Sequence, residues 1–127
     1  MQPQPYKGRT GLDRIVRAAG HSVAGLRCAF SQESAFRQEL VLALVLLPAA
    51  FWVGRDWVQI ALLGAAVVLV LIVELLNSAI EHTVDRISLE RHPLAKQAKD
   101  LGSAAVLLAL LLCGAIWLAA LWQRFDG

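Results

Sequence analysis

The chain has 127 residues, of which 57% are hydrophobic, and its mean hydropathy is +0.57. A soluble domain of this length is roughly half apolar, and here the apolar residues come in long blocks. The composition therefore excludes an ordinary soluble domain and predicts a single all-α domain in a lipid bilayer. The net charge is only +2, and membrane topology accounts for the basic residues, so nucleic acid is not expected as a partner.

The N-terminal region is expected to form a flexible terminus over residues 1–9 and a surface helix over residues 10–32. Apolar residues recur between Leu12 and Phe30 at steps of three and four, with arginines between them, which is the pattern of one helical face. A basic amphipathic helix before a membrane span is typical of the membrane interface. It is either a plain anchor for anionic headgroups or an anchor that also binds ligand.

Three apolar segments predict transmembrane helices over residues 35–53, 57–85 and 100–122. The first segment needs residues 35–39 to approach the ~20 residues that cross a bilayer. A polar turn at 54–56 joins the first two helices. A polar connection over 86–100, in which Pro93 is expected to break any long helix, joins the second and third.

The basic residues favour one orientation. Ten of the 12 Lys and Arg residues precede the uncharged run of the first span, which begins at Leu40, or lie between the second and third spans, and only Arg55 and Arg124 fall on the other side. Basic residues concentrate in cytoplasmic segments. We therefore expect a cytoplasmic N-terminus and a C-terminus on the outer, periplasmic side.

An acidic face at the end of the second span is the most informative feature. Glu74 directly follows a long apolar run, and a carboxylate there is a functional candidate because burying it in a bilayer is costly. Glu81 lies about two turns further on, ~10.5 Å along the axis, with Asn77 between them on the same face. This face runs from the lipid headgroup layer towards the cytoplasm. It suits a reaction between a membrane-embedded alcohol and a soluble donor.

The acidic face also suggests roles. A partly desolvated Glu74 could act as a general base, and a better solvated Glu81 could bind a hard cation through oxygen. Glu33 is a second cation candidate, while Lys99 and Asp100 could meet a phosphate and its metal. Alternatively, the acids only pair with cytoplasmic basic residues. From the residues alone, a solvated or incidental position is expected for Asp85, Arg86, Glu90, Arg91, His82 and His92.

Four segments resemble the prokaryotic diacylglycerol kinase family, over nearly the whole chain. They are RIVRAAGHSVAGLR at 14–27, ESAFRQE at 33–39, IVELLNSAIEHTVDRI at 72–87 and AKDLGSAAV at 98–106. The resemblance implies a homotrimer of three-span subunits in the bacterial inner membrane, with active sites between subunits. It implies transfer of the γ-phosphoryl group of ATP to diacylglycerol, giving phosphatidic acid, with Mg²⁺.

The same resemblance implies residue roles. Glu74 would be the catalytic base, Glu33 and Glu81 would hold the metal, and Asn77 would support the carboxylates. The residues implied to bind ATP are Arg14, His21, Glu33, Glu81, Glu90, His92, Lys99 and Asp100. The residues implied to bind the lipid substrate are Arg14, Ala18, Ala19, Ser22, Arg27, Ala35, Glu39, Trp52, Glu74 and Ser103. His21 and Val23 stand where the enterobacterial pattern has Tyr and Trp, which alters the rings available to the nucleotide and headgroup.

Two other functions remain open. One is an undecaprenol kinase, which keeps the reaction and changes the alcohol. The other is a small proton-coupled transporter with Glu74 as its carrier site, because intramembrane carboxylates serve that purpose in transporters. The clustering of Glu81, Lys99 and Asp100 on the cytoplasmic side argues against the transporter.

Overall fold

The computed structural model describes residues 11–87 and 89–126, so the predicted flexible terminus over 1–9 lies outside the described residues, as does residue 10. The described chain is all helical. It forms α1 (Leu12–Gln32), α2 (Ser34–Val53), α3 (Trp57–Ile87) and α4 (Pro93–Asp126). Helices α2, α3 and α4 are each long and apolar enough to cross a membrane. The predicted all-α fold with three spans is therefore confirmed.

Helix α1 lies outside the core of the bundle and packs mainly on α2. Ala29 is its only buried residue, whereas apolar residues along its length, such as Ile15, Val23 and Phe30, are exposed. An uncovered apolar stripe flanked by arginines suits a helix that lies in the membrane interface.

The junction between α1 and α2 is a single residue, Glu33, whose backbone is extended (φ −113°, ψ 108°). Arg37 stabilises this junction, because its Nη1 donates to the carbonyl oxygens of Phe30 at 2.8 Å and Ser31 at 3.2 Å. The last carbonyl groups of a helix lack partners within the helix. Arg37 therefore caps α1 and sets the direction in which α2 leaves it.

The turn between α2 and α3 is held by its own polar side chains. Asp56 Oδ1 accepts the backbone N–H of Gln59 at 2.9 Å, and Gln59 Oε1 accepts the N–H of Arg55 at 2.9 Å. These reciprocal bonds resemble a capping box. Gly54 packs tightly here, because a Cβ atom on it would lie 2.6 Å from Ile60 Cγ1 and 2.9 Å from Ile60 N.

The end of the bundle that contains the 54–56 turn, called here the turn end, is fastened to the last turns of α4. Arg55 donates to the carbonyl oxygen of Gln123, and Arg124 donates to that of Trp52 at 3.2 Å. The Arg124 guanidinium also lies 4.9 Å from the centre of the Trp52 ring, a cation–π distance. The turn end is thus closed by contacts between α2, the turn and α4.

The buried core lies between α2, α3 and α4 and consists mainly of small and branched residues. Its buried members are Ala43, Ala50, Val53, Leu63, Val67 and Trp117. The Trp117 indole N–H donates to the carbonyl oxygen of Leu63 at 3.2 Å. Small residues let transmembrane helices approach closely, and hydrogen bonds between helices add to the packing.

Helix α4 begins at Pro93, whereas the sequence placed residues 93–100 in a polar connection. Proline is well suited to the first turn of a helix, because its missing N–H has no helical partner there. His92 caps this start, since its Nδ1 accepts the N–H of Leu94 at 3.1 Å. Residues 93–100 therefore continue α4 beyond the predicted span, and α3 continues to Ile87.

Replacing Gly54 by Ala is expected to destabilise the protein, because the new Cβ overlaps the backbone of Ile60. Overpacking of this kind costs about 1–3 kcal/mol. The matched control is Gly64→Ala in α3, whose Cβ would meet only Leu47 Cδ2 at 3.7 Å, an ordinary contact. Thermal unfolding in detergent micelles should show a lower midpoint for Gly54→Ala alone. Equal midpoints for the two variants would contradict the packing described for Gly54.

Candidate functional site

The other end of the bundle, called here the polar end, contains the α1–α2 junction, the last turns of α3 and the first turns of α4. Glu74 lies on the face of α3 that packs in the bundle, and only 7% of its surface is exposed. The carboxyl group of Glu39 on α2 faces it, and Glu33 and Glu81 lie near enough to act on it electrostatically. Three carboxyl groups, from α2, α3 and the α1–α2 junction, therefore lie near the buried carboxyl group of Glu74.

Glu39 is the closest companion of Glu74. Its Oε2 atom is buried and has no hydrogen-bond partner among the described residues. Two carboxylates side by side repel when both are ionised. Glu39 is half-buried and Glu74 is buried, and a hydrogen bond between their carboxyl groups requires a shared proton. Ionisable groups within membrane-spanning helices are costly and concentrate at functional sites.

Asn77 links the buried position to the next turn of α3. Its Nδ2 donates to Glu81 Oε1 at 3.0 Å, while its Oδ1 is buried and has no hydrogen-bond partner in the described chain. Asn77 is itself buried. A buried neighbour therefore supplies the side-chain hydrogen bond that holds the Glu81 carboxylate.

His82 makes a contact that the sequence did not predict. Its Nε2 lies 3.1 Å from Glu33 Oε1, so the α1–α2 junction is tied to α3 beside Glu81. The sequence predicts only an incidental position for His82. No local pattern could have revealed the contact, because Glu33 and His82 are 49 residues apart in the chain.

Beyond Glu81, a cavity of about 660 Å³ opens between the end of α3 and the start of α4. Four residues predicted to bind ATP line it together: Glu90, His92, Lys99 and Asp100. Asp85, Arg91 and Lys96 also line it, although the sequence analysis expected no role for Asp85 or Arg91.

Two ion pairs cross or flank this cavity. Lys99 Nζ lies 2.7 Å from Asp85 Oδ1, which connects α4 to α3. Lys96 Nζ lies 2.7 Å from Asp100 Oδ2, one turn apart on α4. The cavity therefore presents both signs of charge. A nucleotide phosphate that enters it would find the lysine ammonium groups already held by carboxylates.

The residues predicted on α1 do not join this cavity within one subunit. Arg14 lies about 28 Å along the helix axis from Glu33 at 1.5 Å per residue, and neither Arg14 nor His21 lines the cavity. Six residues predicted to contact the lipid are exposed within one chain, four on α1, one on α2 and one on α4; they are Ala18, Ala19, Ser22, Arg27, Ala35 and Ser103.

Trp52 lies at the turn end, against Arg124 and Phe125. It is 13 residues from Glu39 on α2, about 20 Å along the axis. A lipid contact at Trp52 would therefore involve a part of the molecule remote from the buried carboxylates, and its role stays a prediction.

The described residues contain no group of three or more His, Cys, Asp or Glu side chains arranged to hold a metal ion. Two carboxylates, those of Glu33 and Glu81, nonetheless both lie near enough to Glu74 to act on it electrostatically. Mg²⁺ commonly takes one or two carboxylates from a protein and completes its shell with water and substrate phosphates. The donor set fits such a partial site.

Glu39→Gln is expected to stabilise the protein, because an amide keeps the shape of the carboxyl group and donates to Glu74 without the proton that two carboxyl groups must share. The expected gain is about 1 kcal/mol, the usual size of one satisfied hydrogen bond. Glu74→Gln should stabilise similarly, and the double variant should gain less than the sum, because each single change already removes the need for a shared proton. Unfolding midpoints in micelles measure this. A lower midpoint for Glu39→Gln would contradict the pairing.

Comparison with known proteins gives a consistent result. Residues 20–121 match the family described as prokaryotic diacylglycerol kinase. A protein of Pseudomonas aeruginosa named diacylglycerol kinase is 56% identical over 117 residues, covering 92% of this chain and 95% of that protein. A protein of the same name in Escherichia coli K12 is 50% identical, over 92% of this chain and 96% of that protein. One in Helicobacter pylori is 44% identical, over 84% of this chain and 84% of that protein. The chain therefore belongs to the prokaryotic diacylglycerol kinase family.

Proposed function

We propose that this protein transfers the γ-phosphoryl group of ATP to the hydroxyl group of diacylglycerol, giving phosphatidic acid. One observation carries the proposal: α3 leads from the buried carboxyl of Glu74, past Glu81, to a cavity lined by lysines at the start of α4. A lipid hydroxyl can approach the first position from the bilayer, and a soluble nucleotide can enter the last. The names of the relatives support the same reaction.

Glu74 is proposed as the general base. The hydroxyl oxygen of the lipid attacks the γ-phosphorus, its proton passes to the Glu74 carboxylate, and the bond from phosphorus to the bridging oxygen of ADP breaks. A buried carboxylate suits this role because it competes well for a proton. Phosphoryl transfer otherwise depends mainly on positioning and on neutralising charge.

Glu33 and Glu81 are proposed to hold Mg²⁺ carried by ATP. When bound, the ion would neutralise charge on the phosphates during transfer. Asn77 is proposed to orient Glu81 through its 3.0 Å hydrogen bond, and His82 restrains Glu33. Both carboxylates are therefore held by neighbours before any ligand binds.

The cavity is proposed as the ATP site, formed by Glu90, His92, Lys99 and Asp100. Arg14 and His21 would then contact nucleotide from the α1 of another subunit, because within one chain they lie away from the cavity. This separation supports the proposed homotrimer with shared sites. The lipid is proposed to lie between α1 and the carboxylates, against Ala18, Ala19, Ser22, Arg27, Ala35, Glu39, Trp52 and Ser103.

The polar end is proposed to face the cytoplasm of a bacterial inner membrane. Ten of the 12 Lys and Arg residues lie in residues 7–37 or 86–99, the segments that lead into or leave this end. Such an excess of basic residues is expected for cytoplasmic segments. The turn end and the C-terminus would then face the periplasm. ATP is cytoplasmic, so this orientation agrees with the proposed reaction.

Glu74→Gln is expected to reduce lipid-dependent ATP turnover by at least about a hundredfold, because general-base catalysis typically contributes 10²–10⁴-fold. The assay uses purified protein in mixed micelles with Mg²⁺ and ATP, with and without dioleoylglycerol. Size-exclusion chromatography should show unchanged assembly.

The matched control for Glu74→Gln is Asp56→Asn at the turn end, which also removes one carboxylate. Asn can still cap α3 through its side-chain oxygen, so full activity is expected. Full activity of Glu74→Gln would refute its role as base. Turnover with undecaprenol but not dioleoylglycerol would favour the polyprenol kinase. If the unmodified protein shows no lipid-dependent turnover of ATP, the result would favour the proton-coupled transporter over both kinases.

Lys99→Met is expected to raise the KM for ATP at least about tenfold, because a charge-assisted contact to phosphate is lost. The KM for dioleoylglycerol should stay the same. Arg86→Met is the control, since Arg86 is a basic residue at the end of α3, in the polar end of the bundle, and does not line the cavity. Equal effects of the two variants would indicate general electrostatics rather than a contact with the nucleotide.

A further inference from the structure

The proposed mechanism leaves Gly102 on α4 unused, although it lies directly against the site. Gly102 is buried, and α3 and α4 pack more extensively than any other pair of helices. A Cβ atom on Gly102 would overlap Asn77 Oδ1 and would lie 3.3 Å from Asn77 Cγ. The Asn77 amide therefore occupies the space that any other residue at 102 would need.

The Asn77 amide has a defined orientation. Its Nδ2 donates to Glu81 Oε1 at 3.0 Å, and its Oδ1 is turned towards Gly102. The reverse orientation would set the amide oxygen against a carboxylate and lose the hydrogen bond, because only the NH₂ group donates. Contact with the Gly102 backbone on one side and Glu81 on the other thus holds the amide in place.

The second glycine in the apolar part of α4 provides a contrast. A Cβ on Gly114 would meet nothing within 4 Å in this chain. Glycine inside a helix costs roughly 0.5–1 kcal/mol relative to alanine. At Gly102 that cost has a specific structural reason, which is the close approach of a polar side chain from α3.

We propose that Gly102 is a positioning residue that acts through Asn77 on the carboxylate of Glu81. A side chain at position 102 pushes the Asn77 amide away from α4 and breaks or bends its hydrogen bond to Glu81. The kinetic consequence rests on the proposed function, because it assumes that Glu81 holds the cation. The contact between Gly102 and Asn77 does not depend on that assumption.

The first test observes the contact without any enzymatic assay. Asn77 is the only asparagine in the chain, so labelling asparagine with ¹⁵N on the side chain gives one NH₂ signal pair in an NMR spectrum of the micelle-bound protein. Gly102→Ala and Glu81→Gln should both move this pair. Gly114→Ala should leave it in place. An unmoved pair in Gly102→Ala would overturn the proposal.

The second test is kinetic. Gly102→Ala should raise the Mg²⁺ concentration for half-maximal turnover about tenfold, because loss of a group that orients a metal ligand typically costs 10–100-fold. The half-saturating concentration of dioleoylglycerol should change by less than about twofold, within the range of independent sites. A general loss of packing between α3 and α4 would instead lower the unfolding midpoint and affect both substrates.

A double-mutant cycle decides whether the effect passes through Asn77. In the Asn77→Ala background there is room for a Cβ at position 102, so Gly102→Ala should add less than about a twofold change. Additive effects would overturn the proposal, as would an equal effect of Gly114→Ala. If Gly102→Ala alone fails to fold, the double variant should still fold, and its failure would also overturn the proposal.

The two levels of inference fail separately. If the unmodified protein shows no lipid-dependent turnover of ATP, the proposed function is wrong, and the NMR experiment still decides whether Gly102 sets the Asn77 amide. If turnover is normal and Gly102→Ala leaves the amide signal of Asn77 unchanged, only the positioning role is wrong.

Discussion

The buried carboxyl group of Glu74 is the constraint on which the rest of the polar end depends. A carboxylate among membrane-spanning helices is unfavourable, and here it is also placed opposite Glu39 and near Glu33 and Glu81. Such a group of acids persists only if packing elsewhere stabilises the bundle. The apolar core around Trp117 and the polar contacts of the turn end provide that packing.

The two ends of the bundle differ in a way that suits their proposed tasks. The turn end is closed, because Arg55 and Arg124 bond to backbone carbonyl groups across α2 and α4. The polar end has a cavity and ion pairs between exposed side chains, such as that of Lys99 with Asp85, which contribute little to stability. The contacts of the turn end therefore stabilise the bundle, and a ligand that displaces the exposed ion pairs of the polar end would change the stability of the fold only slightly.

Helix α1 contributes little to the buried core of the bundle. It is attached through the Glu33 junction and capped by Arg37, and its apolar stripe is uncovered within one chain. Glu33 is brought to His82 and the carboxylates by this junction, whereas Arg14 is carried away from the cavity. A single subunit thus brings together most of the residues proposed to bind metal and nucleotide. Arg14 and His21 lie away from them on α1, which is consistent with the proposal that they contact the nucleotide of another subunit.

The sequence by itself determined the helical class and the three spans, because long apolar runs have few physical interpretations. It also singled out Glu74 as a candidate, because a carboxylate at the end of such a run is unfavourable. It also placed Asn77 and Glu81 on one face, since helical spacing is local. Only the tertiary structure decided that Glu39 faces Glu74, that His82 meets Glu33, that Lys99 pairs with Asp85, and that Gly102 backs Asn77. Each of these contacts joins different helices, and the register between helices depends on packing that no local pattern encodes. The sequence does not predict the start of α4 at Pro93, because a proline can either end a helix or begin one. In the structure it begins one, and His92 caps that start.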